Sequence, residues 1–115
     1  MLEEFHDCFG AAGANDPGVR PTLIKEETKE VLEALEEQDL EHLAQELADL
    51  AYVAYGTALV YGIDLDLALA EVHRSNMSKL GADGSPIIRE DGKVLKGPNY
   101  FKPDLSAAVK SATVS

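Results

Sequence analysis

Lys25-Glu26-Glu27-Thr28-Lys29-Glu30, followed after fifteen residues by Glu46-Leu47-Ala48-Asp49, is the part of the sequence that decides the predicted fold. Apolar residues recur around both stretches at helical spacing, so each stretch predicts an α-helix. At about 100° per residue, Glu27 falls within the apolar sector of the first helix, whereas Glu30 lies at its edge and Glu26 at its border. The first helix is therefore expected to present carboxylates towards its packing partner.

On the second helix, Glu46 and Asp49 lie one turn apart and are bracketed by Leu43, Leu50 and Val53, so both acids are expected to face inward. Inward carboxylates are costly to bury and repel one another unless a cation compensates them. Hard divalent ions such as Mg²⁺ and Mn²⁺ prefer carboxylate oxygen. We therefore predict a Mg²⁺ site, with Mn²⁺ as an alternative ion, built from Glu26, Glu27, Glu30, Glu46 and Asp49.

The opposite interpretation is that these acids are ordinary surface residues, because the chain has 21 acidic residues in all. The surface interpretation is the one we adopt for four other glutamates, which lie on the polar sides of the two helices or in their connection. They are Glu33, Glu36, Glu37 and Glu41.

Composition bounds the class of protein. A chain of 115 residues has room for one domain and one core, and its hydrophobic fraction of 45% is that of a globular protein. Its net charge of −11 argues against a nucleic-acid polymer or an anionic membrane surface as a partner. The single cysteine, Cys8, excludes an internal disulfide and favours a reducing, cytoplasmic compartment. We find no leader segment and no convincing membrane span.

Capping residues and breakers predict an all-α bundle of about four helices. A short helix at residues 2–9 precedes a first long helix that Thr22 caps and that ends near Glu36. The second long helix starts at Asp39 and ends at Gly62, and the third runs from the cap Asp64 to about Lys79. After the third long helix we expect a small hairpin that turns at Asp91-Gly92. The domain is expected to end near residue 105, and residues 106–115 are expected to form a flexible tail.

The second long helix predicts an oligomer. It has no charged residue from Leu50 through Ile63, and a helix that is apolar all round is buried all round. A 12.4 kDa chain cannot easily enclose such a helix alone. We therefore expect a second copy of the chain to cover part of it, in a dimer or a tetramer.

A second group of candidates could bind an anionic small molecule. Leu65, Leu69 and Val72 mark the expected inward face of the third long helix, and its polar end carries Asn76 and Lys79 on the same face. Five of the ten basic residues lie between Lys79 and Lys102, which could close over phosphates or could form a solvated loop. Near the start of the chain, Phe5 and His6 could stack on a base, or Phe5 could pair with Phe9 in the core. The candidate substrate-binding residues are Asn76, Lys79, Lys93, Lys96, Tyr100, Phe5 and His6.

The acidic motif Glu26-Glu27-x-x-Glu30 with Glu46-x-x-Asp49 resembles the MazG-like group of all-α nucleoside triphosphate pyrophosphatases, which is related to phosphoribosyl-ATP pyrophosphatase and dimeric dUTPase. The segments Phe5-His6-x-x-Phe9-Gly10 and Glu71-Val72-His73-Arg74-Ser75-Asn76-Met77-Ser78-Lys79 extend this resemblance over about residues 2 to 105. The resemblance implies a homo-oligomeric enzyme that uses Mg²⁺ to cleave a nucleoside triphosphate into a monophosphate and pyrophosphate, as in nucleotide-pool house-cleaning. One carboxylate, Glu27 or Glu46, would then activate the water molecule.

Two other classes compete with this interpretation. A di-iron carboxylate bundle needs Glu-x-x-His pairs on two core helices, and the only such pair is Glu3-Glu4-Phe5-His6, so this class is disfavoured. A non-catalytic helical oligomer that binds metal or nucleotide, as a sensor or partner module, is compatible with the same residues. Release of pyrophosphate from a nucleotide would separate the enzyme from that module.

Overall fold

The computed structural model describes residues 2–9 and 15–109, and these residues confirm the all-α class. They form two compact units, which meet in sequence between Ile63 and Asp64. The helices of the first unit are α1 (Leu2–Phe9), α2 (Arg20–Glu37) and α3 (Leu40–Val60), and the second unit contains α4 (Leu65–Met77), β1 (Ile87–Ile88), β2 (Val94–Leu95) and α5 (Ser106–Val109).

A two-residue connection joins α2 to α3 and folds the two helices against each other. Gln38 ends α2 in the left-handed conformation, with φ 59°. The Asp39 carboxylate then caps α3 by accepting hydrogen bonds from the backbone N–H groups of Glu41 and His42, at 3.1 and 3.2 Å. Ala34 of α2 is fully buried in this hairpin. The predicted cap at Asp39 is confirmed, and α2 ends at Glu37, one residue after the predicted end near Glu36.

The predicted start of α2 at Thr22 is wrong. The helix begins at Arg20, directly after a 3-10 turn over Pro17–Val19 whose own cap is Asp16. Pro21 lies in the first turn of the helix, where its missing N–H has no partner to lose. The 3-10 turn therefore performs the initiating role that the sequence pattern assigned to the Thr22 side chain.

Gly56 allows α1 and the start of α2 to approach α3 closely. A Cβ at this position would lie 2.7 Å from Nε2 of His6 and 3.0 Å from Nη1 of Arg20. Both side chains are buried, with 7% and 5% of their surface exposed. Only glycine leaves room for the His6 ring and the Arg20 guanidinium against the backbone of α3.

The second unit begins as predicted. Asp64 caps α4 by accepting a hydrogen bond from the Leu67 N–H at 3.0 Å. The hairpin also forms where expected, because β1 and β2 are antiparallel and Gly92 turns with φ 89°. The helix itself ends at Met77, so Lys79 follows α4 instead of standing within it.

The face of α4 that packs within its unit differs from the predicted one. Leu65 of the predicted face is half-buried, but Leu69, Val72 and Asn76 are exposed, whereas Ser75 is only 2% exposed. The Ser75 hydroxyl donates to the Phe101 carbonyl at 2.7 Å, and the Ser78 hydroxyl accepts from the Phe101 N–H at 3.1 Å. The backbone of the C-terminal segment at Phe101 needs hydrogen-bond partners, and apolar periodicity does not reveal which face of α4 supplies them.

Glu71 of α4 also binds this C-terminal segment, at Asp104. Its carboxylate accepts two hydrogen bonds from the Arg74 guanidinium at 2.9 Å each and one from the Asp104 N–H at 3.0 Å. The Arg74 guanidinium also lies over the Phe101 ring, 4.4 Å from its centroid. These contacts, the side-chain bonds from Arg74 above all, lower the pKa of Glu71 to about 2.

Part of the expected tail is helical. In α5, Ala108 is 2% exposed, and its carbonyl accepts from the Asp64 N–H at 2.9 Å. Residues 106–109 are thus part of the packed second unit, while 110–115 lie outside the described residues. Over the residues that the structure describes, no single helix is both long enough and apolar enough to cross a membrane, although Leu40–Val60 and Leu65–Met77 reach that criterion when counted as a pair.

Replacing Glu71 by Gln should lower the melting temperature by several degrees at neutral pH, because the charged acceptor of three hydrogen bonds is lost. Since the pKa of Glu71 is about 2 in the folded protein and 4.5 in its ordinary state, ionised Glu71 stabilises the fold fully above about pH 4.5. This stabilisation disappears as the pH falls towards 2. Thermal unfolding between pH 7 and pH 3 should therefore show a difference between the proteins that shrinks below about pH 4.5.

The matched control is Glu90→Gln, which changes an exposed glutamate of the same unit. It should melt with the unchanged protein at every pH. An equal melting temperature for Glu71→Gln at pH 7 would show that the carboxylate does not fasten the segment.

Candidate functional site

Three carboxylates meet where α2 packs on α3. Glu27 comes from α2, and Glu46 and Asp49 come from α3, one turn apart. One oxygen of each lies within 4.8 Å of the others. Glu46 is 6% exposed, and the other two residues are half-buried. The helical spacing predicted this convergence, because it placed all three side chains on the packing faces.

The carboxylates disfavour each other's charge. Burial, followed by the charges of Glu30, Asp49 and Glu46, raises the pKa of Glu27. The pKa of Glu46 is raised first by its hydrogen bond with Glu30, and then by burial and by the Glu30 and Asp49 charges. Carboxylates that are close together repel one another unless protons or a cation offset their charge. The cluster therefore retains protons or gains a cation.

Two oxygen atoms of the cluster are suited to binding a cation. Oε2 of Glu27 and Oε2 of Glu46 are buried, and within the described part of the chain neither has a hydrogen-bond partner. A buried carboxylate oxygen without a partner is costly. A hard divalent ion prefers these ligands and supplies the missing positive charge. The donor set therefore fits Mg²⁺ or Mn²⁺.

The other predicted ligands differ in their placement. Glu30 is exposed, but it contributes to the raised pKa values of both Glu27 and Glu46, so it belongs at the edge of the cluster. Glu26 is exposed, and it is not among the acids whose charges raise the pKa of Glu27. Among the residues interpreted as surface acids, all are exposed: Glu33, Glu36, Glu37 and Glu41.

His42 is a neighbour of the cluster that the sequence interpretation missed. Its Nδ1 lies 2.7 Å from Oε2 of Glu37, and its Nε2 lies 3.4 Å from Oε1 of Glu46. The hydrogen bond with Glu37 is the main cause that raises the pKa of His42. The spacing of four residues between His42 and Glu46 was visible in the sequence, and it places two side chains on one helix face.

Phe5 and His6 occupy an aromatic and polar group on α1. Phe5 stacks on Phe9 with ring centroids 4.8 Å apart and meets the edge of Tyr52 at 5.5 Å. His6 is buried, and its Nδ1 lies 2.6 Å from Oδ1 of Asn15, which is an acceptor. Thus the predicted pair of Phe5 and Phe9 forms, and contact of either candidate with a base stays a prediction.

The remaining predicted substrate residues belong to the second unit. Lys79 is half-buried, and its N–H donates to the Asn76 carbonyl at 3.1 Å. Lys96 lies over the Tyr100 ring, with Nζ 4.8 Å from the centroid. Lys93 is exposed in the hairpin turn. That these residues bind the ligand of the carboxylate cluster stays a prediction.

The helical fold and the carboxylate cluster define an all-α protein with a donor set that suits a hard cation. The profile of the phosphoribosyl-ATP pyrophosphohydrolase family matches residues 2–76, which include α1, α2, α3 and almost all of α4. The chain therefore belongs to this family, a part of the MazG-like all-α nucleoside triphosphate pyrophosphatase superfamily. The resemblance seen in the sequence motifs is therefore confirmed.

The chain is also similar to the uncharacterized protein L479 of Acanthamoeba polyphaga mimivirus. The two are 34% identical over 78 residues, which make up 68% of this chain and 29% of that protein. The chain thus matches less than a third of the length of this relative.

Replacing Glu46 by Gln should abolish stabilisation by Mg²⁺ without unfolding the protein. The amide removes one of the mutually repelling charges, so the melting temperature in a chelator should equal or exceed that of the unchanged protein. Upon addition of millimolar Mg²⁺, only the unchanged protein should melt at a higher temperature. Differential scanning fluorimetry checks both parts.

Glu36→Gln is the control, because Glu36 is an exposed acid on the same helix as Glu27. It should respond to Mg²⁺ like the unchanged protein. If Glu46→Gln is also stabilised by Mg²⁺ to the full extent, then Glu46 is not a ligand.

Proposed function

We propose that the protein is a metal-dependent nucleoside triphosphate pyrophosphohydrolase, which cleaves between the α and β phosphates and releases pyrophosphate. One observation supports this proposal most strongly. Carboxylate oxygens of Glu27, Glu46 and Asp49 lie within 4.8 Å of one another, and two buried oxygens in this group have no hydrogen-bond partner in the described residues. Such a donor set binds Mg²⁺, which in turn binds phosphate.

Glu27, Glu46 and Asp49 would hold Mg²⁺ or Mn²⁺, with Glu30 and Glu26 at the margin. When bound, the ion supplies neutralisation of phosphate charge and a more acidic water molecule. Glu27 or Glu46 accepts the proton of the attacking water. No covalent intermediate with the protein is needed.

Lys79, Lys93 and Lys96 provide point charges for the phosphates in this proposal. The backbone segments next to Lys79 and Lys96 lie close together. A Cβ on Gly97 would collide with the Leu80 carbonyl and would lie 2.7 Å from the carbonyl oxygen of Lys79. Because residue 97 is a glycine, its backbone can pack directly against the backbone at Lys79. Asn76 and Tyr100 would bind the ribose or the base by hydrogen bonds.

At the opposite end of the chain, Phe5 would contact the base through the part of its ring that is exposed, while His6 orients α1. Phe5 is 37% exposed even though Phe9 and Tyr52 cover two sides of it. A planar base could extend this aromatic group.

We further propose that the active form is a homo-oligomer, a dimer or a tetramer. Large apolar side chains on α2 and α3 remain exposed in the single chain, including Leu32 at 58%, Leu35 at 53% and Leu47 at 49%. Large exposed apolar side chains on two helices that pack together are consistent with a surface that another protein covers. The uncharged run in α3 led to the same proposal.

The physiological role that we propose is house-cleaning of the nucleotide pool in the cytoplasm. A single cysteine, Cys8, agrees with a reducing compartment. The specific substrate could also be phosphoribosyl-ATP, since the family that the chain belongs to is described by this substrate. The alternative function is a non-catalytic oligomer that binds metal or nucleotide as a sensor or partner module.

Pyrophosphate release tests the proposal. The purified chain is incubated with Mg²⁺ and, separately, with each common ribo- and deoxyribonucleoside triphosphate and with phosphoribosyl-ATP. We expect release of pyrophosphate, together with the monophosphate, from at least one of them, and no release in the presence of a chelator or with Glu46→Gln. Tight nucleotide binding without turnover of any of these compounds would favour the sensor instead.

Replacing Lys79 by Ala should weaken triphosphate binding by on the order of tenfold or more, about 1.4 kcal/mol. A partly buried Lys79 is held in place by its surroundings and should contribute more than the exposed Lys93. Because the ammonium group would face phosphates, the effect on a monophosphate should be smaller. Calorimetry with a non-hydrolysable triphosphate and with the matching monophosphate, each with Mg²⁺, measures both.

Lys29→Ala serves as the control, since its side chain is 78% exposed on α2 and pairs only loosely with Glu33 at 3.9 Å. It should leave both affinities unchanged. Equal losses for the two ligands in Lys79→Ala, or no loss at all, would remove Lys79 from the phosphate site.

A further inference from the structure

His42 connects the end of α2 to the buried acid of α3. Glu37 is the last residue of α2, and His42 lies in the first turn of α3, so the short connection brings them side by side. The imidazole uses one nitrogen towards Glu37, at 2.7 Å, and directs the other towards Oε1 of Glu46, at 3.4 Å. Its own backbone N–H donates to the Asp39 cap at 3.2 Å.

The environment of Glu46 distinguishes this arrangement from a surface ion pair. The side chain of Glu37 is 53% exposed and that of His42 is 37% exposed, but that of Glu46 is only 8% exposed. An exposed pair alone contributes little to stability. A ring that is fixed on its outer side by Glu37 and directed inward at a buried carboxylate has a different consequence, because it restricts the rotation of that carboxylate.

The two oxygens of Glu46 are in different situations. Oε1 faces His42, whereas Oε2 is buried without a hydrogen-bond partner in the described part of the chain. Because Nε2 of His42 approaches Oε1, Oε2 is the oxygen left available to the cluster formed with Glu27 and Asp49. Groups that orient ligands in this way determine metal affinity nearly as strongly as the ligands themselves.

We propose that His42 is a positioning residue for the cation site, which holds the Glu46 carboxylate so that one oxygen faces the imidazole and the other faces the ion. Glu37 has the supporting role of orienting the ring. This inference rests on the proposed metal-dependent function. It concerns residues outside the acidic motif, since both His42 and Glu37 precede Glu46 and neither is one of the three clustered ligands.

Two substitutions of similar size separate hydrogen bonding from packing. His42→Leu fills the space but removes the polar ring nitrogens, whereas His42→Gln keeps an N–H donor on a side chain of similar length. Mn²⁺ is titrated into each protein at constant pH by calorimetry. We expect the dissociation constant to rise by about tenfold or more in His42→Leu and to stay within about threefold of the unchanged protein in His42→Gln. Melting temperatures in a chelator should be similar for both.

His73→Leu is the matched control, because it removes an exposed histidine from α4 in the second unit. It should not alter Mn²⁺ affinity. Glu37→Gln provides an independent variant on the outer side of the ring, and it should weaken Mn²⁺ binding less than His42→Leu does but measurably more than the control.

The outcomes separate this inference from the proposed function. If the unchanged protein binds Mn²⁺ and His42→Leu binds it equally well or more tightly, the positioning role is overturned while the metal site stands. Equal losses in His42→Leu and His42→Gln would also overturn it, because the N–H donor would then have no effect. Failure of the unchanged protein to bind Mn²⁺ or Mg²⁺ would overturn the proposed function and this inference together.

Discussion

Repulsion among carboxylates at the contact between α2 and α3 is the constraint on which the site depends. The α2–α3 hairpin brings the carboxylates of Glu27, Glu46 and Asp49 together, because the two helices pack along the faces that carry these residues. Glu30 adds a fourth acid at the edge, and its interactions raise the pKa values of both Glu27 and Glu46. Such an arrangement opposes folding unless protons or a cation compensate it, and carboxylates concentrated in this way are typical of functional sites.

The sequence was sufficient to predict the features that depend on local chemistry. Aspartate caps at Asp39 and Asp64 formed as expected, because a carboxylate satisfies free N–H groups at a helix start wherever the rest of the chain goes. The turn at Gly92 formed for a similar reason, since its φ of 89° suits glycine. Helical periodicity also identified Glu27 and Glu46 correctly as acids on packing faces.

Features that depend on distant parts of the chain were not predictable from these patterns. Ser75 is buried because it bonds to Phe101, 26 residues away, and a serine in a helix does not reveal such a partner. For the same reason, the apolar face of α4 at Leu69 suggested the wrong side. His42 was missed because its importance comes from Glu37 across the interhelical connection, which helical spacing within α3 alone cannot show.

The short connection between α2 and α3 also has a consequence for the order of folding. Contacts such as that of Glu37 with His42 join residues five positions apart, so forming them closes only a small loop and costs little chain entropy. The attachments of Glu71 to Asp104 and of Ser75 to Phe101 close loops of 33 and 26 residues. We therefore expect the α2–α3 hairpin to form early, and the C-terminal segment to dock onto α4 as a later and slower event.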